Sequence, residues 1–125
     1  ETIYYLNDGK VDSRSTYSYD SKKNILEQVN YNSNGEIVYK YVNIPDSRGN
    51  IIETLTYGDN GKLSSRTTNK YDDNNNLIEY KSYDENGKLI IEELYKYDNK
   101  KNEIERTFKT DTDTILNKSV NEYRK

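Results

Sequence analysis

Acidic side chains recur along this sequence at spacings that suggest acid–base or metal chemistry. A glutamate returns every 26 residues, and oxygen-rich stretches occur at Asp72–Asn76 and Asp111–Asp113. Carboxylates act as general acids and bases, and oxygen-rich loops suit calcium. A catalytic pair is normally a single pair in two different environments, however, and neither stretch has a calcium loop's spacing with a distal glutamate. We therefore expect no catalytic residue, no metal site and no cofactor, and interpret the glutamates as a solvated ladder that discourages edge pairing.

The overall composition points the same way. Histidine and cysteine are absent, which removes the commonest general base and the thiol nucleophile, so we expect that the protein is not an enzyme. The 19 basic and 22 acidic side chains are mixed along the chain without a basic block, which predicts no nucleic-acid partner. No apolar stretch approaches the length of a membrane span.

The 14 tyrosines are the other side chains with a chemical use. Each offers a flat apolar ring and a hydroxyl group, and aromatic rows are common interaction surfaces, so a glycan or protein ligand is one interpretation. The alternative is that the tyrosines only cover the strands of a thin sheet. The candidate ligand or partner surface consists of two sets, Tyr5, Tyr31, Tyr57 and Tyr83, and Tyr19, Tyr71 and Tyr97.

A tandem repeat of 26 residues positions all of these side chains. Its first half carries an aspartate, an asparagine four residues later, an aliphatic residue and the glutamate. Its second half carries a tyrosine, a turn such as Glu85–Lys88 with Asn-Gly at its centre, and another aliphatic residue. We expect residues 1–125 to form a single repeat domain of five approximate units, of which the first and last are incomplete.

Each unit predicts two strands and two turns. Glycine with positive φ suits the Asn-Gly turn, and that turn should place Tyr31 opposite Ile37, Tyr57 opposite Leu63 and Tyr83 opposite Leu89. Strands are expected near 1–6, 11–19, 25–31, 37–44, 51–57, 63–71, 77–83, 89–97, 103–109 and 114–123. Because every connection is a short hairpin, the predicted fold class is all-β, an antiparallel β-meander of about ten strands. We expect an open, twisted, single-layer sheet, with a sheet curled over one face as the alternative.

Side-chain alternation predicts what each face carries. Both tyrosine sets are expected on one face. An aliphatic stripe and a column of cations are expected on the other, and within that face Leu26, Ile52, Ile78 and Ile104 should be more buried than the cations. The stripe is Leu26, Val42, Ile52, Ile78, Leu94, Ile104 and Val120, and the cations are Arg14, Lys40, Arg66 and Lys118.

Segments such as YKYDNKKNEIE and NKYDDNNNLIEYKSYDENGKL resemble the tyrosine–aspartate (YD, or Rhs-like) repeats of bacterial secreted and surface proteins. The resemblance covers nearly the whole chain. It implies a β-meander and a location outside the cytoplasm, and it brings no catalytic residue. The family usually has glycine three residues after the aspartate, where this chain has Gly49 in one unit and Lys23, Asn75 and Lys101 in the others.

We therefore expect a non-catalytic structural or adhesive β-repeat module, exported to the cell surface or beyond. The alternatives are a carbohydrate-binding module that uses exposed tyrosines and an immunity or antitoxin-like module that docks on a protein. The start at Glu1 without methionine predicts a processed N-terminus. The weakly charged segment Glu1–Leu6 predicts an edge open to self-association or to a preceding unit, whereas Lys118, Glu122, Arg124 and Lys125 predict a capped end.

Overall fold

Ten antiparallel strands make up the computed structural model of the chain, which describes residues 1–118. The strands follow chain order in one sheet, which confirms the all-β meander. Predicted boundaries agree within one residue, except at the last strand, whose predicted end lies outside the described residues together with Val120, Glu122, Arg124 and Lys125. The strands are β1 (Thr2–Tyr5), β2 (Val11–Tyr19), β3 (Ile25–Tyr31), β4 (Ile37–Pro45), β5 (Ile51–Tyr57), β6 (Leu63–Tyr71), β7 (Leu77–Asp84), β8 (Leu89–Tyr97), β9 (Glu103–Lys109) and β10 (Thr114–Lys118).

Very little of this protein is buried. The chain forms two compact units, Glu1–Arg66 and Thr67–Lys125. Among the described residues whose burial is assigned, only Val29 and Ser15 are buried, each 7% exposed. Most other strand residues are half-buried, so cross-strand pairs and turns, rather than a thick core, must stabilise the strands.

The connections from β1 to β9 all close in the same way. In the turn at Asp20–Asn24, the backbone N–H of Asp20 donates to the carbonyl of Asn24 at 3.0 Å, and that of Lys23 donates to the carbonyl of Asp20 at 3.1 Å. The Asn-Gly turn at Asp84–Lys88 repeats both bonds. The two kinds of turn in the sequence therefore have one geometry. In every strand pair whose register is described across such a turn, the pairing shifts by one residue beside it, as in a hairpin with a bulge.

The fourth residue of these turns lies in the left-handed region. The predicted positive φ of Gly35, Gly61 and Gly87 is confirmed, with values of 80°, 71° and 80°. The same position in the aspartate turns is glycine only at Gly49, and elsewhere it is Lys23 (φ 66°), Asn75 (φ 63°) and Lys101 (φ 66°). Left-handed backbone is unfavourable for a lysine, because its Cβ approaches a carbonyl oxygen.

The aspartate that opens an Asp-x-x-x-Asn turn accepts hydrogen bonds on both of its carboxylate oxygens. Asp20 Oδ1 accepts the backbone N–H groups of Lys22 and Asn24, both at 2.8 Å, and its Oδ2 accepts the Asn24 amide at 2.9 Å. Donors that favour the charged form lower the pKa of a carboxyl group. The asparagine amide is the largest cause of the lowered pKa at Asp20, Asp72 and Asp98. At Asp46 burial is the largest single influence and opposes the shift, but hydrogen bonds led by Asn50 still lower the pKa.

Strand register corrects the predicted faces. Arg14 lies opposite Tyr31 across β2 and β3, so the first tyrosine set shares a face with the cations rather than with the second set. Tyr19 is five residues beyond Arg14 on β2, an odd number, and therefore points to the other face. We call the side with Glu1, Arg14, Glu27 and Lys40 the ladder face, and the side with Tyr17, Gln28 and Tyr41 the variable face.

The predicted aliphatic stripe is split between the two faces. Val42 pairs with Glu27 on the ladder face, whereas Leu26, next to Glu27 along β3, belongs to the variable face. The burial prediction is wrong for Ile52 and Ile104, which are exposed while the cations Arg14, Lys40 and Arg66 are half-buried, and Leu26 and Ile78 are half-buried like those cations. The bulge beside each turn accounts for the wrong assignment of faces. It adds one residue to a strand, so residues beyond it point to the opposite face from the one that simple alternation predicts.

Replacing Lys23 with glycine should stabilise the protein. Glycine removes the left-handed strain of lysine, although it gives the unfolded chain more freedom, so we expect a net gain of about 0.5–1 kcal/mol. Urea unfolding followed by circular dichroism measures this difference.

Gly35→Lys is the matched control, because it introduces lysine at the same place in a turn where a Cβ would meet nothing within 4 Å. It should lose stability through its backbone alone. Equal stability of the two variants would contradict the assigned turn geometry.

The hydrogen-bonded aspartates of the Asp-x-x-x-Asn turns should also make folding sensitive to acid. Because their folded-state pKa is lowered, they contribute fully above the unfolded pKa of about 3.9, and that contribution is lost as pH falls through the folded values. Thermal unfolding midpoints at neutral pH and near pH 3 measure the loss. Asp98→Asn should be less stable at neutral pH yet lose less on acidification, and an unchanged acid dependence would count against this role.

Candidate functional site

Oppositely charged side chains form diagonal pairs on the ladder face. Glu27 lies directly opposite Val42, and its carboxylate reaches Lys40 Nζ, two residues along β4, at 2.7 Å. Glu1 and Arg14 are paired at 3.2 Å, and Glu53 and Arg66 are also paired, each thirteen residues apart in sequence. Diagonal neighbours are within reach of long side chains in antiparallel pairs, so the repeat period itself generates the ladder.

The first tyrosine set takes part in this ladder. The Arg14 guanidinium lies 4.2 Å from the centre of the Tyr31 ring, within the range of a cation–π contact. Lys40 likewise lies opposite Tyr57 in the register. The predicted pairings of Tyr31 with Ile37 and of Tyr83 with Leu89 are confirmed. Tyr31 and Tyr57 therefore lie beside the cations of the ladder, whereas Tyr5 is 62% exposed.

In the second compact unit, Thr67–Lys125, one row of the ladder carries different charges. Across β3, β4 and β5 the row reads Val29, Lys40 and Tyr57, whereas the equivalent row across β7, β8 and β9 reads Lys81, Glu92 and Lys109. Glu92 stands in the column of the cations, where it would face Glu79 without compensation. Two lysines replace the aliphatic and aromatic neighbours and supply the missing positive charge.

The distances show that the compensation is direct. Glu92 binds Lys109 Nζ at 2.7 Å and Lys81 Nζ at 3.3 Å, and Lys81 reaches Glu79 at 3.2 Å. Glu79 also pairs with Lys70 at 2.9 Å. The hydrogen bond from Lys109 is the largest cause of the lowered pKa of Glu92, and that from Lys70 is the largest cause at Glu79. Five side chains from neighbouring strands thus act as one network.

The second tyrosine set is placed near the aspartate turns and is not gathered into one site. Tyr19 is 56% exposed and stacks on Tyr17, with ring centres 6.3 Å apart. Tyr97 is half-buried, and its hydroxyl donates to the carbonyl of Leu77 at 2.7 Å. The two sets do not form the common surface that the sequence predicted.

Sequence reasoning missed the tyrosines at the centre of the variable face. Tyr39 and Tyr41 on β4 have ring centres 5.1 Å apart, and Tyr17 on β2 lies in the same row as Tyr41, with Gln28 between them. Tyr39 and Tyr41 have no tyrosine at the equivalent positions of other repeats, and Tyr17 is matched only by Tyr95, so none of them belongs to a repeated tyrosine column. Their irregular occurrence is itself the signal that could have identified them.

The oxygen-rich stretch at Asp72–Asn76 uses its carboxylate within the turn. Asp72 Oδ1 accepts the backbone N–H groups of Asn74 and Asn76, and Oδ2 accepts the Asn76 amide, each at 2.9 Å. Asp111 pairs with Lys88 at 2.8 Å. In residues 1–118 no group of three or more acidic, histidine or cysteine side chains is assembled in a way that could hold a metal ion.

Comparisons with known proteins show a likeness of fold. No protein-family model matches the chain, and no curated protein matches its sequence. The chain superposes on the Photorhabdus luminescens Tc holotoxin pore structure with a TM-score of 0.70 and 15% identity, covering 94% of this chain and 7% of that one. It thus spans only a small part of that protein's length. At this identity the likeness establishes the fold alone.

Two further structures were matched with lower TM-scores. A crystal structure titled TcdB2-TccC3-TEV has a TM-score of 0.35 and 16% identity, covering 77% of this chain and 5% of that one. The GtfA/B complex bound to UDP and GlcNAc has a TM-score of 0.35 and 14% identity, covering 94% and 27% of the two chains. Among residues 1–118, no helix is of a length and apolarity suited to crossing a membrane.

Replacing Glu92 with lysine should destabilise the compact unit Thr67–Lys125, although it restores the cation found at this position in other repeats. The new ammonium would lie beside Lys81 and Lys109 and would leave the network without its central anion. Loss of a charged hydrogen-bonding partner predicts a cost on the order of 1–3 kcal/mol, measured by urea unfolding.

The triple variant Lys81→Leu, Glu92→Arg and Lys109→Tyr provides the control. It recreates the row of an ordinary unit and should recover most of the lost stability. The coupling would be disproved if Glu92→Lys unfolded like the unmodified protein, or if the triple variant were no more stable than the single one.

Proposed function

We propose that the chain is a non-catalytic structural module, one stretch of a longer exported β-repeat protein. The observation that carries this proposal is the repetition of one hairpin with the same turn bonds from Leu6–Lys10 through Asp98–Asn102. A structure built of equivalent hairpins offers the same environments many times over, whereas an active site needs one distinct environment. Each repeat contacts its neighbours in sequence, which suits extension of the array.

The resemblance to tyrosine–aspartate repeats supports the same function. The likeness of fold to part of a Tc holotoxin chain agrees with it, because a chain of this length corresponds to a small segment of that large protein. The residues of β1 are exposed along its whole length, which agrees with a further strand of a longer array packing beside it. Export is part of the proposal, and immunodetection in the culture medium or on the cell envelope, rather than in the cytoplasm, tests it.

Deleting one complete unit tests the structural role. Removal of residues 33–58 joins Asn32 to Asp59 and recreates a turn of the same type, Asn32-Asp59-Asn60-Gly61-Lys62, and it brings Arg66 into the place of Lys40 opposite the strand of Glu27. We expect the shortened chain to keep its β-sheet circular dichroism and cooperative unfolding. Its urea m-value should fall by roughly a fifth, in proportion to chain length.

A deletion of 25 residues, 40–64, is the matched control. It joins Tyr39 to Ser65, which are equivalent positions, and so adds one residue to the strand and turns its side chains to the wrong faces. This variant should lose cooperative unfolding. A unit deletion that unfolds the chain as completely as the out-of-phase deletion would contradict the modular structure.

A further inference from the structure

The variable face of the compact unit Glu1–Arg66 contains an open groove, which Arg14 and Tyr31 of the ladder also border. Tyr17 on β2 and Tyr41 on β4 lie on either side of Gln28, and Tyr39 lies opposite Asn30. β2 and β4 lie on either side of β3 and are therefore about 10 Å apart. Their tyrosines form the two sides of the groove, and the amide side chains of β3 form its floor. The groove is open to solvent and is lined by Tyr4, Ser15, Tyr17, Gln28, Asn30 and Tyr39, among others.

The tyrosines of this groove keep their polar ends available. Tyr17, Tyr39 and Tyr41 are half-buried, so part of each ring remains accessible. Their hydroxyl groups make no hydrogen bond to another residue in the described part of the chain. Tyr95, at the position equivalent to Tyr17, behaves differently, since its hydroxyl is bound by Glu93, and burial, followed by that bond, raises its pKa to about 12.

The floor of the groove is polar, and not all of its hydrogen-bonding groups find a partner within the protein. Ser15 Oγ donates to Asn30 Oδ1 at 2.6 Å, and Gln28 Nε2 donates to the same oxygen at 3.3 Å. Asn30 Nδ2 is buried and has no hydrogen-bond partner. The floor thus contains one amide donor whose capacity the protein leaves unused.

The repeat does not require these side chains. The positions of Tyr39 and Tyr41 are occupied by Ser13 and Ser15 in one neighbouring hairpin and by Ser65 and Thr67 in another. Tyr17 corresponds to Asn43 and Asn69 in two other repeats, and to Tyr95 in a third. Because the same hairpin forms with small polar residues at these places, the tyrosine cluster is an addition to the fold rather than a condition for it.

The chemistry of the groove favours an uncharged ligand with both flat apolar and hydroxyl-bearing surfaces. Two charged residues, Asp12 and Arg14, also line the groove, but their charges are opposite and Arg14 is already paired with Glu1. Aromatic rings offer area to the carbon-bound faces of a sugar ring, while hydroxyl and amide groups offer partners to its hydroxyls. A charged peptide or an acidic polymer would find no complementary charge among the tyrosines and amides.

We propose that this groove is a binding site for a neutral saccharide. Sugar rings stack on Tyr17, Tyr39 and Tyr41, and their hydroxyls bond to the tyrosine hydroxyls and to Gln28. The site lies on the variable face, beside Tyr19 and Tyr31 of the repeated columns, and it is independent of the structural role of the array.

Affinity electrophoresis of the complete chain in native gels tests the site directly. The gels contain a soluble neutral glucan, mannan or galactan, and a neutral oligosaccharide array extends the panel. We expect retardation by at least one of these probes. The double variant Tyr39→Ser and Tyr41→Thr, which takes the residues found in β6, should bind at least tenfold more weakly.

The matched control is Tyr80→Thr, which removes a tyrosine of the same face in the second unit and introduces the residue found at Thr54. It should bind like the unmodified chain. If circular dichroism shows the double variant to be unfolded, Tyr17→Asn takes its place, since asparagine occurs there in β4 and β6. Failure of the unmodified chain to bind any neutral probe, binding confined to acidic glycans or proteins, or binding unaffected by loss of the groove tyrosines would each overturn the proposal.

Discussion

The five-residue turn closed by two backbone hydrogen bonds is the interaction on which the rest of this structure depends. With only Val29 and Ser15 buried among the described residues whose burial is assigned, no thick core selects the strand register, so the turns must do so. The turn contains a left-handed fourth residue and is followed by a bulge. Where aspartate opens the turn, its carboxylate accepts hydrogen bonds from the backbone of the turn. Neighbouring turns are also linked, since Lys22 Nζ donates to the carbonyl of Ser47 at 3.0 Å. A Cβ at Gly49 would lie 3.3 Å from the Asn24 amide, which gives glycine a second reason to occupy that turn.

Once the turns set the register, the two faces acquire different properties. The ladder face repeats the same glutamates and cations because their spacing follows the period, and the departure at Glu92 is compensated by Lys81 and Lys109. The variable face carries residues that the period does not dictate. A repeat fold can therefore conserve stability on one side of the sheet while the other side changes, and the candidate saccharide groove lies on the side that is free to change.

Much of the fold could be predicted because its determinants are local. The Asn-Gly and Asp-x-x-x-Asn patterns located the strands, and the positive φ of Gly61 followed from the turn chemistry. The faces could not be predicted by simple alternation, because the bulge beside each turn reversed the count and separated Tyr31 from Tyr19. The network around Glu92 involves three columns that change together, which inspection of single columns does not reveal. Tyr39 and Tyr41 were missed because they break the repeat, and their proximity to Tyr17 and Gln28 is seen only in the register.

Amide hydrogen exchange measured by NMR tests most directly whether equivalent turns hold the structure together. We expect slow exchange, relative to unstructured peptide, for the turn-closing backbone amides of Asp20, Asp46, Asp72 and Asp98, together with the strand amides beside them. Fast exchange at these four amides, or protection confined to a single hairpin, would contradict the claim that one repeated turn organises the chain from β1 to β9.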